Sequence, residues 1–548
     1  MADDSPNVLL IMTDEERYPP PYEQDALAEF RRSELPARER LRRRSVELHR
    51  HYAGSTACLS SRATLFTGQY PSLHGVTSTD GLAKQSSDPS MSWLDPDTVP
   101  TLGDWFRAGG YKTHYRGKWH ISRADLPVAG TGRSVSTNDD KGIVDPDALR
   151  AYQKADRLGR FGFAGWIGPE PHGLAPADCG MVKDGAYGDQ VVELFGELSR
   201  SRRDGPWLAV ASFVNPHDIV FSGLGWETIL GLGPPNEAVP SIAEAPSQGD
   251  SFDGHPRAQR LFFETWPKML YEQAADETYR RLYHHLIRHV DAAMARILDA
   301  LDNSGMADET LVVFTSDHGD LLGAHGGMVQ KWHNAFDEAV RVPLLVSGPG
   351  VALREHGIEV PTSHVDLLPT LLGLAGIDME RAAAGVAEHH VEVQPLAGRD
   401  LSPVLRGRST PGDMDSPIYF MTEDEVTQGS SQVSLLDAKP YDCVAEPAKV
   451  ESVIATLGTG VDGAGELWKL NHYYDRLDDW NAGHGVKANP FLASAVESDW
   501  EVYNLSVDPE ERSNRARERD VAFGRLTSIL ESEREAKRKL PLLGRRAR

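Results

Sequence analysis

Cysteine is scarce: Cys58, Cys179 and Cys443 are the only three among 548 residues, too few for a disulfide framework. No apolar run is long enough to span a bilayer, and the opening Met1-Ala-Asp-Asp-Ser-Pro has neither the basic nor the apolar stretch of a secretory leader. Basic residues are outnumbered, 57 against 81 acidic, giving a net charge of −24; this argues against nucleic acid as a main partner. The expectation is a cytoplasmic protein with no membrane association. A Gly-x-Ser-x-Gly elbow and a P-loop are both missing. Gly458 to Gly463 matches a dinucleotide fingerprint, but Glu466 to Tyr474 does not read as the helix such a site needs, so it is set aside as a decoy.

What is present is globular. Hydrophobic residues make up 40% and charged residues 25%, enough apolar material for a large core, and the length exceeds what one core usually serves. Asn7 to Met12, Trp207 to Val214, Leu311 to Thr315 and Val342 to Ser347 read as buried strands, and Tyr111 to Tyr115 as a further strand. Pro36 to Arg44 reads as an exposed helix, Ser61 to Thr67 as a helix stopped by Gly68, Thr101 to Ala108 as another, and Leu270 to Leu301 as one long helix or two. Alternating strands and helices predict an α/β fold, a large, mostly parallel sheet sandwiched by helices. After about residue 415, Ile418 to Met421, Val450 to Leu457 and Leu467 to His472 read as short antiparallel strands of a smaller α+β unit. The expected organisation is a catalytic α/β domain over 1–414, with insertions near 125–176 and 221–260, a C-terminal α+β subdomain over 415–530, and a basic tail over 531–548 that is a flexible or partner-docking end. A homo-oligomer is expected.

Four predicted strands run directly into charge. Asn7 to Met12 leads to Asp14 and Glu15; the Tyr111 strand to Lys118 and His120; the Trp207 strand to His217; the Leu311 strand to Asp317 and His318. One such junction means little, but four would line one edge of one sheet, where open α/β folds bind ligands. Asp14, Asp317 and His318, with Glu15 as a further candidate, make a plausible divalent-cation site; hard carboxylates suit Ca²⁺, Mg²⁺ or Mn²⁺. Singly, any of these acids is more commonly a helix cap or a turn residue. Cys58 stands just before a predicted helix, whose N-terminal amides stabilise anions and depress thiol pKa values, with Arg62 one turn on. A lone cysteine is usually a small buried hydrophobe, the reading kept for Cys179 and Cys443.

These segments resemble the sulfatase family. Cys58 to Gly68 (CLSSRATLFTG) resembles the signature C-x-P-S-R-x-x-x-x-T-G, and Gly110 to His120 (GYKTHYRGKWH) a second signature. Asn7 to Arg17, Thr315 to His325, Lys331 to Pro343, His364 to Leu372 and Trp500 to Asn514 follow in the family's order. The resemblance implies an alkaline-phosphatase-like fold and hydrolysis of organic sulfate monoesters. It implies that a formylglycine-generating enzyme oxidises Cys58, that one hydroxyl of the hydrated aldehyde attacks sulfur, and that the other helps expel sulfate. It further implies that Asp14, Glu15, Asp317 and His318 surround a cation, usually Ca²⁺. Arg62 orients the nucleophile; Lys118, His217 and Lys331 hold the sulfate oxygens, with His120 beside the nucleophile. His217 protonates the leaving oxygen.

Two departures matter. Ser60 stands where the maturation signal has proline, whose fixed φ presets the segment; an unread signal leaves Cys58 a thiol, itself a nucleophile at a helix N-terminus beside Arg62. Glu15 and His318 replace the more common Asp and Asn, a set resembling choline-sulfatase-like enzymes and phosphonate monoester hydrolases. Lys118 and His120, which the phosphonate branch usually lacks, favour sulfate; phosphonate monoesters or phosphodiesters are the alternative substrates, and a non-catalytic anion-binding protein is the alternative class. The organic half of the substrate is not legible, although Trp166, Trp226 and Phe252 of the insertions are candidate stacking residues beside a plainer packing role.

Overall fold

The computed structural model describes residues 5–542, apart from 82, 172, 174, 202–204, 224, 234, 431, 460–462 and 476–495. Part of the glycine-rich decoy, 460–462, and the end of the expected tail, 543–548, therefore lie outside the described residues.

The main sheet has six strands in the order Val46–Glu47, Leu344–Ser347, Thr310–Ser316, Asn7–Asp14, Trp207–Pro216, Lys112–Gly117. The three pairings among the last four are parallel, and the two at the other edge are antiparallel. The α/β expectation is met, and the central strand shows why. Val8, Leu10 and Met12 point to one face and Leu9 and Ile11 to the other, and all are fully buried. A strand covered on both sides reads as a continuous apolar run, each large side chain contributing about 1.5–3 kcal/mol on burial. The first face is covered by helices Cys58–Thr67, Leu102–Ala108 and Leu367–Ala375, the second by Pro36–Arg44, Gly180–Arg200 and Glu277–Asn303.

Several expectations are corrected. The long helix is Glu277–Asn303, beginning where Asp276 accepts from the Tyr279 N–H; a separate helix, Arg257–Met269, precedes it. The Pro36–Arg44 helix is not simply solvated, because Arg38 lies buried between Glu16 and Asp291. Nor is the segment 125–176 a surface excursion. It carries the helix Pro146–Ala155, capped by Asp145, and it inserts Tyr152, Phe163 and Trp166 into the core beside Trp119.

A second sheet, Ile418–Thr422, Lys449–Thr456, Leu467–Tyr474, Asp499–Asn504, is antiparallel throughout. One face packs Tyr419, Val453, Leu470 and Val502 against Leu526 and Leu530 of the helix Val521–Lys537. The other packs Phe420, Ile454 and Tyr503 toward Phe262 and Trp266. Residues 531–537 of the expected tail thus belong to a packed helix, where Arg534 pairs with the buried Glu451. Beyond it, the Leu542 N–H donates to Glu392 at 2.9 Å.

Candidate active site

Strand register assembles the site. Asp14 is in register with Pro216, Thr13 with Ser316, and Gly117 with Ser212. The residues just past these positions, Glu15, His217, Asp317 and Lys118, therefore leave the sheet at one edge. Gly117 has φ +103°, and a Cβ there would collide with the Ser212 carbonyl oxygen, so only glycine lets the Lys118 strand approach its neighbour this closely. Glu15 and His120 also hold left-handed backbone, at φ 72° and 57°, the kind of conformation that recurs at functional sites.

The helix Cys58–Thr67 starts at Cys58 itself and ends at Gly68, φ +62°. Arg62, one turn in, is fully buried. Its Nη2 donates to Asp14 Oδ2 at 2.9 Å and its Nε to Asp317 Oδ2 at 2.8 Å, while Nη1 reaches Lys118 O and Ser212 Oγ. This fork fixes both carboxylates. Asp317 Oδ1 accepts from the N–H groups of Glu15 and His318. Lys118 Nζ lies 2.7 Å from Asp14 Oδ2, and Lys331 Nζ donates to Glu15 Oε2 at 2.8 Å. The Cys58 Sγ is 3.1 Å from His318 Nε2 and 3.6 Å from Asp14 Oδ1. His318 Nδ1 faces the Gly319 carbonyl at 2.9 Å, which places the proton on Nδ1 and turns the Nε2 lone pair toward Cys58.

Two groups have the spacing of a metal shell: Asp14, Cys58, Asp317 and His318, and Asp14, Glu15 and His217, with ligand atoms within 4.8 Å of one another in each. Glu15 Oε1 is buried without a hydrogen-bond partner among the described residues.

The electrostatics correct one expectation. Burial and then the Asp14 carboxylate push the Cys58 thiol up to about 12, outweighing Lys118 and Lys331; the helix N-terminus does not make this cysteine a thiolate in the chain alone. Burial also opposes the charge on Asp14, yet Lys118 and Arg62 together hold it well below the usual carboxylate range. Burial and Lys118 hold His217 well below the ordinary imidazole value, so it rests neutral.

All ten residues singled out in the sequence lie on this edge or border it. His120 is turned toward Asp80, its Nε2 2.7 Å from Oδ1. The N–H groups of Trp119 and His120 both donate to the Glu170 carboxylate, at 3.2 and 2.8 Å. Burial and Asp125 push Glu170 up to about 8. Asp80, Glu170 and Asp424 are supporting residues that the sequence reading missed. Glu170 sits in an aperiodic segment with no signal. Asp424 had one, since it follows the strand Ile418–Thr422 as a fifth strand running into charge. Of the stacking candidates, Trp166 is 1% exposed and donates to Gly117 O, which makes it a core residue. Phe252 pairs with Phe263, ring centroids 5.2 Å apart, and the Trp226 side chain is outside what is described.

The chain is similar to known proteins. The chain is 29% identical over 423 residues to the choline-sulfatase of Rhizobium meliloti, covering 74% of this chain and 73% of that protein. It is 25% identical over 491 residues to the Delta 4,5-hexuronate-2-O-sulfatase of Bacteroides thetaiotaomicron, covering 87% and 78%. The solved structure of the phosphonate monoester hydrolase of Silicibacter pomeroyi shares the fold, with a TM-score of 0.59 at 19% identity over 97% of this chain and 96% of that one. With residues 6–377 matching the family named Sulfatase, the chain belongs to the sulfatase family of enzymes.

Proposed function

We propose that this enzyme hydrolyses organic sulfate monoesters, with Cys58 matured to formylglycine as the nucleophile and one divalent cation held by Asp14, Glu15, Asp317 and His318. The observation that carries the reading is the Cys58 Sγ lying 3.1 Å from His318 Nε2 and 3.6 Å from Asp14 Oδ1, where the thiol stands in for the oxygens of the matured residue. The nucleophile and the cation site thus share their nearest polar neighbours. The donor set of carboxylates plus one inward-facing imidazole suits a hard cation, Ca²⁺ first and Mn²⁺ or Mg²⁺ as alternatives. When bound, such an ion supplies Lewis acidity and lowers the pKa of the nucleophile.

The chain's own groups do the rest. Arg62 holds Asp14 and Asp317 in place. Lys118 and Lys331 present preorganised positive charge to the sulfate oxygens inside a protein of net charge −24, the largest stabilising term for a transfer of this type. His217, neutral at rest, gains a proton as the anionic substrate arrives beside it and gives it to the leaving oxygen. Lys118 and His120 support sulfate over phosphonate.

The test pairs mass spectrometry of the Cys58 peptide, from protein made alongside a formylglycine-generating enzyme, with rates on an aryl sulfate and on a phosphonate monoester. An aldehyde and faster sulfate turnover are expected. An unmodified thiol with faster turnover of the phosphorus ester would replace this reading with the phosphonate one.

A further inference from the structure

A side chain just past the first strand of the C-terminal sheet reaches the surroundings of the site. Asp424, 3% exposed, follows the strand Ile418–Thr422 and accepts four hydrogen bonds from three separate segments. Its Oδ1 takes the Thr79 N–H at 3.0 Å, and its Oδ2 takes the Thr79 hydroxyl at 2.6 Å, the Trp332 indole N–H at 3.1 Å and, at 3.5 Å, the Ala57 N–H. Each donor is one residue from a site residue. Ala57 precedes Cys58. Thr79 precedes Asp80, which holds His120. Trp332 follows Lys331, whose ammonium lies 4.5 Å from the indole ring centroid. The strand itself reinforces the first link, because the Met421 N–H donates to Gly54 O at 3.2 Å and the Thr422 hydroxyl donates to Thr56 O.

We infer that Asp424 is a positioning residue of the reaction: a single carboxylate sets, together, the entry to the nucleophile, the Asp80–His120 pair and the Lys331 ammonium. The inference rests on the sulfatase reading above. A carboxylate is the only side chain of this size that accepts at both ends. Asparagine offers one accepting oxygen and turns two N–H donors toward Thr79 or Trp332, both of which are already donors there. Misplacement of reacting groups by about 1 Å costs on the order of a hundredfold in rate, and support residues behind an active site typically carry 10–100-fold.

The experiment measures kcat and KM on an aryl sulfate for wild type, Asp424→Asn, Trp332→Phe and the double variant, with rates divided by the aldehyde content of the Cys58 peptide. Asp424→Asn is expected to lower kcat about 10–100-fold while KM moves less than about threefold. The double variant should match Asp424→Asn within about twofold, because the indole N–H has then lost its acceptor. A kcat for Asp424→Asn equal to wild type, or losses that simply multiply in the double variant, would overturn the inference. Should Asp424→Asn not fold, Thr79→Val removes one donor from the same carboxylate. Its kcat should fall about threefold or more, and an unchanged value overturns the inference equally. A wild type that turns over only phosphonate esters refutes the sulfate assignment alone, and the same four-way comparison is then read on that substrate.

Discussion

Replacing Arg62 by lysine keeps a positive charge in the site and removes the fork. Arg62 spends its donors on Asp14, Asp317, Lys118 O and Ser212 Oγ, at 2.8–2.9 Å, from a fully buried position. A lysine ammonium is a single point and cannot reach both carboxylates in the same plane, so at least two charge-assisted bonds are lost, worth about 1.5–3 kcal/mol each. Arg62→Met goes further and leaves Asp14 and Asp317 facing each other, at about 3–5 kcal/mol for an uncompensated buried charge. With an unfolding entropy of about 2.1 cal/mol/K per residue, a 3 kcal/mol loss lowers Tm by only about 3 °C over this chain, so the folded variant can be assayed. The catalytic loss should be larger than the thermal one suggests. With both carboxylates freed, kcat/KM on an aryl sulfate should fall about a hundredfold for Arg62→Lys, and further for Arg62→Met. Calorimetry and initial rates on the same preparations decide the matter. An Arg62→Lys enzyme within about threefold of wild type would show that the fork is dispensable and that the carboxylates are placed by their backbone donors alone.

Three further outcomes are expected. Lys118→Ala should lose at least about a hundredfold in kcat/KM on an aryl sulfate, and a smaller loss on sulfate than on a phosphonate ester would count against the sulfate assignment. Removing divalent cations with a chelator should abolish turnover and lower Tm, with Ca²⁺ at about a hundred times its Kd restoring about 2.7 kcal/mol of stability; a Tm indifferent to chelation would argue against the cation site. Acid should loosen the C-terminal helix. Burial opposes the charge on Glu451, but His472 and Arg534 hold it at about 2, below its ordinary 4.5. A depressed carboxylate stabilises the fold above its unfolded value, and that contribution, about 2–3 kcal/mol with Arg534 partly solvated, is lost as pH falls from about 4.5 to about 2. Arg534→Met should flatten the stability profile across that window, and an unchanged acid profile would refute the assignment.

Much of this was legible because the chemistry sits where strands end. Asp14, His217 and Asp317 each follow an apolar run, and a strand buried on both faces announces itself in sequence. The helix Gly180–Arg200 went unread for the opposite reason. It contains Gly180, Gly185, Gly188 and Gly196, each costing up to about 1 kcal/mol of helix propensity. Packing overrides that cost, because the helix buries Tyr187, Val191, Leu194 and Phe195 in the core. Glu170 was invisible because its partners are backbone N–H groups, which sequence does not display. The thiol of Cys58 went the other way from expectation, since local helix geometry was legible and the burial that raises the thiol, reinforced by Asp14, was not.

The strand Ile418–Thr422 holds the entry to Cys58, through Gly54 and Thr56, from a segment synthesised much later. Cys58 is 1% exposed in the folded chain, so on the proposed function a modifying protein has to reach its thiol before the fold closes. About 360 residues separate the two in the chain, and at 5–20 residues per second the ribosome needs roughly 20–70 s to cross them. On the proposed function, chemistry at Cys58 is then a race run during synthesis, its yield set by translation speed and by the supply of the modifying enzyme.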